Sequence, residues 1–331
     1  MTTTAPQLAG EPAELRDSRR RPLGVIWSVI RSQPQAAVGT AILVLVVLVA
    51  FLAPVIAPYG EREVVGQPFQ SPSGSHWLGL DDGGVDMVTL LIWGARVSLI
   101  VGFAAALVAM LIGGAFGILA GYFGGKLDIL LMRLTDYFLV IPDIALMIAI
   151  GAIWGRSLRN IILIIGIVYW PTTARLLRAQ VKSVRERVYV KRARSLGASN
   201  SRIIFRHVLP QVAPLLVANT VLTVAIAIFA ETALAFLGLG DPSLISWGKL
   251  IENAFEGNAI SVDAWWAIVP PGVAVAVVIL GCTMLGQALE NTLNPRLRVG
   301  HLSVRRFRLR SLPDTIDPRA AQAAPTARSG R

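Results

Sequence analysis

Three acidic side chains, Asp136, Asp143 and Glu231, fall within or beside long uncharged stretches of the chain. An acid in such a place is costly, so it faces protein or water, where it can serve a substrate path or a proton relay. Asp136 and Glu231 are the candidate pathway residues on this ground. The plainer alternative is structural: Asp136 paired with nearby Arg133, or an acid placed at an interface. Nothing typical of an enzyme accompanies them. His76, His207 and His301 are far apart, Cys282 is the only cysteine, and no Cys/His spacing points to a metal or an intramolecular disulfide. The stretch Gly121-Tyr-Phe-Gly-Gly-Lys126 invites a phosphate-loop reading. That motif needs Gly six residues before Lys and Ser or Thr after it, whereas Ala120 and Leu127 stand there. There is no Gly-x-Ser-x-Gly and no His-Glu-x-x-His. The expectation is a chain without catalytic residues, metal or cofactor of its own.

The elements that must hold these acids are membrane helices. Of 331 residues, 54% are hydrophobic and only 15% charged, where a soluble domain carries about a quarter charged residues. A helix needs about 20 apolar residues to cross a bilayer core. Uncharged runs occupy Ala36 to Ala57, Val97 to Phe123, Val208 to Ala230 and Ala264 to Leu289. Two weaker runs are Tyr137 to Trp154, which contains Pro142 and Asp143, and Asn160 to Ala174, which borders Arg175 and Arg178. The resulting expectation is an all-α polytopic membrane protein with six spans, at about 36–57, 97–123, 134–154, 159–178, 208–238 and 264–289. Gly113, Gly117 and Gly121 repeat at four-residue spacing, which lets a second helix approach closely. Pro142, Pro171 and Pro270–Pro271 predict kinks or helix starts.

The net charge of +11 sits between and beyond the apolar runs, which argues for membrane topology and against nucleic acid. Arg16, Arg19, Arg20, Arg21 and Arg31 precede the first run. Ten basic residues and one acid, Glu186, lie between Arg175 and Arg206, and nine basic residues follow Glu290. The segments around Glu61, Glu63, Asp81, Asp82 and Asp86, and around Asp241, Glu252, Glu256 and Asp263, are acidic instead. Both termini and the 179–207 loop are therefore expected in the cytoplasm, with the acidic loops outside; the short loop with Arg156 and Arg159 runs against the rule. The first run is too long, and its preceding tail too extended, for a cleaved signal peptide. Residues 1–30 and 299–331 read as cytoplasmic tails, of which 1 to about 22 and 301–331 are expected to be disordered, solvated and anchored to acidic lipid.

The longest cytoplasmic segment reads RLLRAQVKSVRERVYVKRARSLGASNSRIIFRHVLP from Arg175 to Pro210. Up to Leu196 the spacing predicts a helix. Gly197 can terminate it, and Ser199 or Asn200 can cap a second helix leading to Pro210. Physics alone leaves two readings open: a hairpin that docks to another protein, or a basic amphipathic segment lying on anionic lipid.

This segment resembles the EAA loop of ABC importer permeases. Ala193, Gly197, Leu209 and Pro210 match the pattern; Lys191 and Arg192 replace its Glu and first Ala, and His207 its Ile. Ser75-His-Trp-Leu-Gly-Leu-Asp81, Leu91-Ile-Trp-Gly-Ala-Arg-Val-Ser-Leu99, Phe236-Leu-Gly-Leu-Gly240, Ser246-Trp-Gly-Lys-Leu250 and Gly286 to Arg298 resemble the second, C-type permease subunit of the dipeptide/oligopeptide family. The matches run from about residue 30 to 298.

The resemblance implies an ABC type I importer permease-like fold in a bacterial plasma membrane. It also implies a homologous second permease, two ATPase subunits that bind the ATP, and an extracytoplasmic substrate-binding protein. Lys191, Arg192, Ala193, Leu196, Gly197, Ala198, Arg206 and Pro210 would form or shape the ATPase contact. Substrates of the family are mostly di- and oligopeptides, with nickel and some sugars as variants. Two other readings compete: a secondary carrier or channel using the intramembrane acids Asp136, Asp143 or Glu231, and a membrane-anchored scaffold without transport.

Overall fold

A computed structural model describes residue 31 and residues 33–293 of the chain. The tails expected at 1–30 and 299–331 lie outside the described residues. Within them the fold is all helical; the only strand-like pairings are isolated bridges of Val64 with Val85 and Leu80 with Asp86.

The first helix, α1, spans Pro34–Phe51 and opens on a proline, which needs no hydrogen-bond acceptor in the first turn. The helix α2, Met87–Phe123, is capped by Asp86, whose side chain accepts the Thr89 N–H at 2.9 Å. It starts ten residues before the expected 97, because Arg96 interrupts the uncharged run without interrupting the helix. Its length of 37 residues is about 55 Å at 1.5 Å per residue, well beyond a bilayer core of about 30 Å.

The third run, expected as one span over 134–154 with a kink or helix start at Pro142, is broken at that proline. Two helices, α3 (Gly125–Val140) and α4 (Asp143–Trp154), meet at a 90° bend. Ile141 is extended, as the residue before a proline prefers, and Pro142 then begins the next helix.

The helix α5, Leu158–Arg185, is capped by Ser157 and contains Pro171. It continues into the segment assigned to the loop at 179–207, since Arg178, Lys182 and Arg185 have partners on one side. A short α6 (Val188–Ser195) follows, and then the helical run α7 (Asn200–Leu239). The latter widens to a π-turn at Ile204–Val208, where the Leu209 N–H reaches back to the Ile204 carbonyl, and its helical geometry breaks near the other end at Gly238, whose φ is +76°. Pro210 and Pro214 follow directly and cannot donate to the carbonyls one turn before them, which is a common cause of such bulges. An amphipathic α8 (Trp247–Glu256) lies between spans, capped by Ser246. Pro270–Pro271 sit in the first turn of α9 (Val269–Leu293), so they start that helix and do not kink it. By length and composition α1, α2, α5, α7 and α9 can each cross a membrane, and there are six crossings if the bent pair α3–α4 is counted as one span.

Close helix approach organises the bundle. Gly113, Gly117 and Gly121 of α2 lie against α5, where a Cβ on Gly117 would stand 2.7 Å from the Ala174 carbonyl oxygen and one on Gly121 2.8 Å from the Val181 Cβ. Gly39 of α1 does the same on α9, beside the Gly281 carbonyl at 2.6 Å. In lipid no hydrophobic force drives helices together, so association depends on such packing.

Candidate functional site

The segment from Arg185 to Pro210 forms a hairpin on the ends of α5 and α7. The α6 helix closes with a Schellman motif. The Ala198 N–H donates to the Ala193 carbonyl at 3.1 Å, and the Gly197 N–H to the Arg194 carbonyl at 3.0 Å. This geometry requires a left-handed residue, and Gly197 has φ +79°. Ser199 then caps α7 by accepting the Arg202 N–H at 3.4 Å. The expected glycine turn and second helix are present, with Ser199 chosen over Asn200 as the cap, while the helix expected up to Leu196 is broken at Glu186–Arg187 into α5 and α6.

One face of the hairpin is buried and one is open. Val190, Ile203 and Val208 are buried with Tyr122, Leu177, Val181, Val184 and Val212, which ties α6 and α7 to the ends of α2 and α5. Tyr122 Oη donates to Asn200 Oδ1 at 2.8 Å, the Arg194 guanidinium stands 5.5 Å from the Tyr122 ring, and Arg185 Nη1 donates to the Tyr122 carbonyl at 2.9 Å. On the open side Leu196 is 87% and Phe205 69% exposed, and Arg192, Arg206 and Pro210 are exposed as well. Lys191 pairs with Glu186 at 2.9 Å. The Lys191 ammonium, with Arg185 alongside, holds the Glu186 carboxyl below the usual carboxylate range. The chain's own acid thus meets Lys191, which stands at the position where the EAA pattern has glutamate.

Tyr122 was not singled out from the sequence, and Asn200 only as an alternative to Ser199 for the helix cap. Tyr122 belongs to the glycine-rich stretch that fails as a phosphate loop. A tyrosine just ahead of a Gly-Gly pair, Gly124–Gly125, at the end of a long apolar run is the signal in the sequence, and both glycines take positive φ in the structure.

The two candidate pathway acids are not brought together. Asp136, on the exposed side of α3, pairs with Arg175 of α5 at 2.6 Å and not with Arg133. Residues three apart on a helix can meet, but the α3–α5 packing presents Arg175 instead. Glu231 is 2% exposed in α7, enclosed among Ser98 of α2 and the start of α8. Ser98 Oγ donates to Glu231 Oε2 at 3.2 Å and accepts the Trp247 N–H at 3.2 Å. The adjoining cavity is about 10 Å³, roughly the room one water needs. Asp143 begins α4 and accepts from Tyr169 Oη at 3.1 Å. A further acid, Asp128 of α3, is buried against α5, held by the Arg178 guanidinium and by Lys182 Nζ at 2.7 Å.

Residues 113–299 match the family described as "Binding-protein-dependent transport system inner membrane component", and residues 21–72 match "N-terminal TM domain of oligopeptide transport permease C". A dipeptide transport system permease protein, DppC, of Alkalihalophilus pseudofirmus is 36% identical over 297 residues, covering 88% of this chain and 96% of that one. A putative peptide transport system permease protein of Brucella suis is 40% identical over 265 residues, 79% of this chain and 88% of that one. The glutathione transport system permease protein GsiD of Pectobacterium atrosepticum is 32% identical over 294 residues, 88% and 97% of the two chains. Among solved structures, an inward-facing MetNI methionine ABC transporter shares the fold, with a TM-score of 0.50 at 19% identity over 62% of this chain and 97% of that one. The chain belongs to the binding-protein-dependent transport system inner membrane components, as a permease subunit of the dipeptide/oligopeptide branch of ABC importers.

Proposed function

We propose that this permease imports di- or oligopeptides and that the hairpin around Gly197 is where two partner ATPases act on it. In this reading the chain binds no cofactor and hydrolyses nothing; ATP is bound by the ATPases. A homologous permease completes the pathway, and an extracytoplasmic binding protein delivers the substrate. The hairpin and both termini face the cytoplasm, and the acidic loops face outward, following the distribution of Lys and Arg. The peptide substrate rests on the relatives whose names carry it.

The observation that carries the coupling role is the two-sided hairpin. Leu196 and Phe205 are exposed, while Val190, Ile203 and Val208 behind them are packed onto α2 and α5. A push on the exposed face moves α7 directly, because α7 begins inside the hairpin. Rigid-body switching of this kind is how transporters alternate access. The enclosure of Glu231 favours this reading over a carrier that titrates an acid in an open path.

The test is uptake of labelled peptide, with ATP hydrolysis measured in parallel, by membranes carrying the intact subunits. Substituting Leu196 and Phe205 with aspartate should abolish uptake and release the ATPases during affinity purification. Normal uptake with the ATPases retained would remove the coupling role from this hairpin.

A further inference from the structure

A groove of about 460 Å³ runs between α1 and α2, lined by Val47, Phe51, Leu99, Ile100, Phe103 and Arg96. Its volume falls in the range of about 300–1,000 Å³ found for ligand sites. With Ala50 those residues make seven in the lining, of which six are apolar. Arg96 is the exception, and its position has no explanation in the packing. Its guanidinium lies 5.2 Å from the centroid of the Trp93 ring, and no carboxylate among the described residues pairs with it. A cation on a lipid-facing helix is costly without a counter-charge.

The groove sits toward one end of the spans. Phe51 ends α1, only the short apolar helix Ala53–Ile56 separates it from the polar loop around Tyr59 and Glu61, and Arg96 directly precedes the uncharged run Val97–Phe123, so the groove lies near the end of the apolar part of both helices. Phe51 is 78% exposed and lines the same groove as Arg96, which places the guanidinium at the same level. On α2, nine residues or about 13 Å of helix precede Arg96, enough to carry the N-terminus of this long helix beyond the core. A cation at the headgroup level above an apolar furrow matches one ligand chemistry: a phosphate ester with a hydrocarbon tail.

We propose that this groove is a binding site for an anionic phospholipid, with one acyl chain lying between α1 and α2 and the headgroup phosphate on Arg96. The site shares no residue with the hairpin. Its assignment to the outer leaflet follows from the topology proposed above; the lipid site itself does not depend on that topology. The lipid offsets the charge of Arg96, and Trp93 holds the guanidinium over the groove.

The measurement is native mass spectrometry of the intact transporter complex, depleted of lipid in detergent and titrated with phosphatidylglycerol. The wild type should take up a lipid adduct on this subunit that Arg96→Gln weakens by about tenfold, the scale expected when one charge-assisted contact is lost. Val47→Trp fills the furrow, keeps the arginine and should weaken the adduct as well. Arg96→Lys should restore much of the binding. Equal adduct occupancy in the wild type, Arg96→Gln and Val47→Trp would overturn the site. So would an efficient photo-crosslink from a benzophenone-bearing amino acid placed at position 51 to the second permease, since the groove would then be a protein interface.

Discussion

Tyr122, the last but one residue of α2, donates its phenol proton to Asn200, the first residue of α7, at 2.8 Å. This bond closes the base of the hairpin onto a helix that crosses the whole membrane. Tyr122→Phe keeps the ring, its place in the apolar cluster and its contact with Arg194, and removes only the hydroxyl. A hydrogen bond of this kind contributes about 1 kcal/mol net. Peptide uptake should fall several-fold in Tyr122→Phe while membrane insertion stays normal. Asn200→Ala should lose a similar amount, and the double variant no more than either single one. Additive losses would show that the two residues act separately.

Gly197 is constrained by its backbone and not by its neighbours. A Cβ there would meet nothing within 4 Å, yet φ is +79°. Valine at this position strains the turn by about 1–3 kcal/mol, while asparagine tolerates the left-handed region. Gly197→Val should insert normally and lose transport, and Gly197→Asn should retain most of it. Uptake assays on membranes matched for subunit content separate the two. Full activity of Gly197→Val would mean that the turn plays no part in coupling.

Gly117 is constrained in the opposite way. It has ordinary helical φ, but a side chain would run into the Ala174 carbonyl and the Leu177 Cβ within 2.8 Å. Gly117→Leu must push α5 away from α2 and should lower the yield of folded subunit after extraction in mild detergent. Overpacking of this kind costs about 1–3 kcal/mol or more. Gly272→Ala, with nothing within 4 Å, is the control and should extract like wild type. Equal yields from both would show that α2 and α5 can separate freely.

Glu231 distinguishes a structural acid from a proton-coupling one. Ser98, Glu231 and the Trp247 backbone form one chain of hydrogen bonds between α2, α7 and α8. Glu231→Gln preserves an acceptor for Ser98 and should keep ATP-driven uptake. Glu231→Ala leaves the buried Ser98 hydroxyl short of a partner, at a cost of about 1–3 kcal/mol, and should lower the amount of folded subunit. A glutamine variant that folds, binds its ATPases and fails to transport would revive the pathway reading.

Topology can be read by labelling. Ser73 and Ser199 are both exposed, and the native Cys282 is buried. A membrane-impermeant maleimide applied to intact cells should label Ser73→Cys and spare Ser199→Cys, which should react only after the membrane is opened. The reverse pattern would invert the proposed orientation.

The amino-acid sequence by itself determined which segments are apolar enough to cross a membrane, where glycine permits close packing, and where the chain must turn at Gly197. These are local properties. An uncharged run, a Gly at four-residue spacing and a helix-breaking residue carry the same meaning wherever they sit. The tertiary structure alone decided the rest. A charge-free run ends at a charge, but a helix does not, so α2 and α5 run past the limits that Arg96 and Arg178 suggested. Asp136 chose Arg175 over Arg133 because ion pairs depend on which helices meet, and pairing across 39 positions leaves no mark in either local segment. Tyr122 and Asn200 lie 78 positions apart for the same reason. The groove beneath Arg96 belongs to two helices at once and exists only when both are in place.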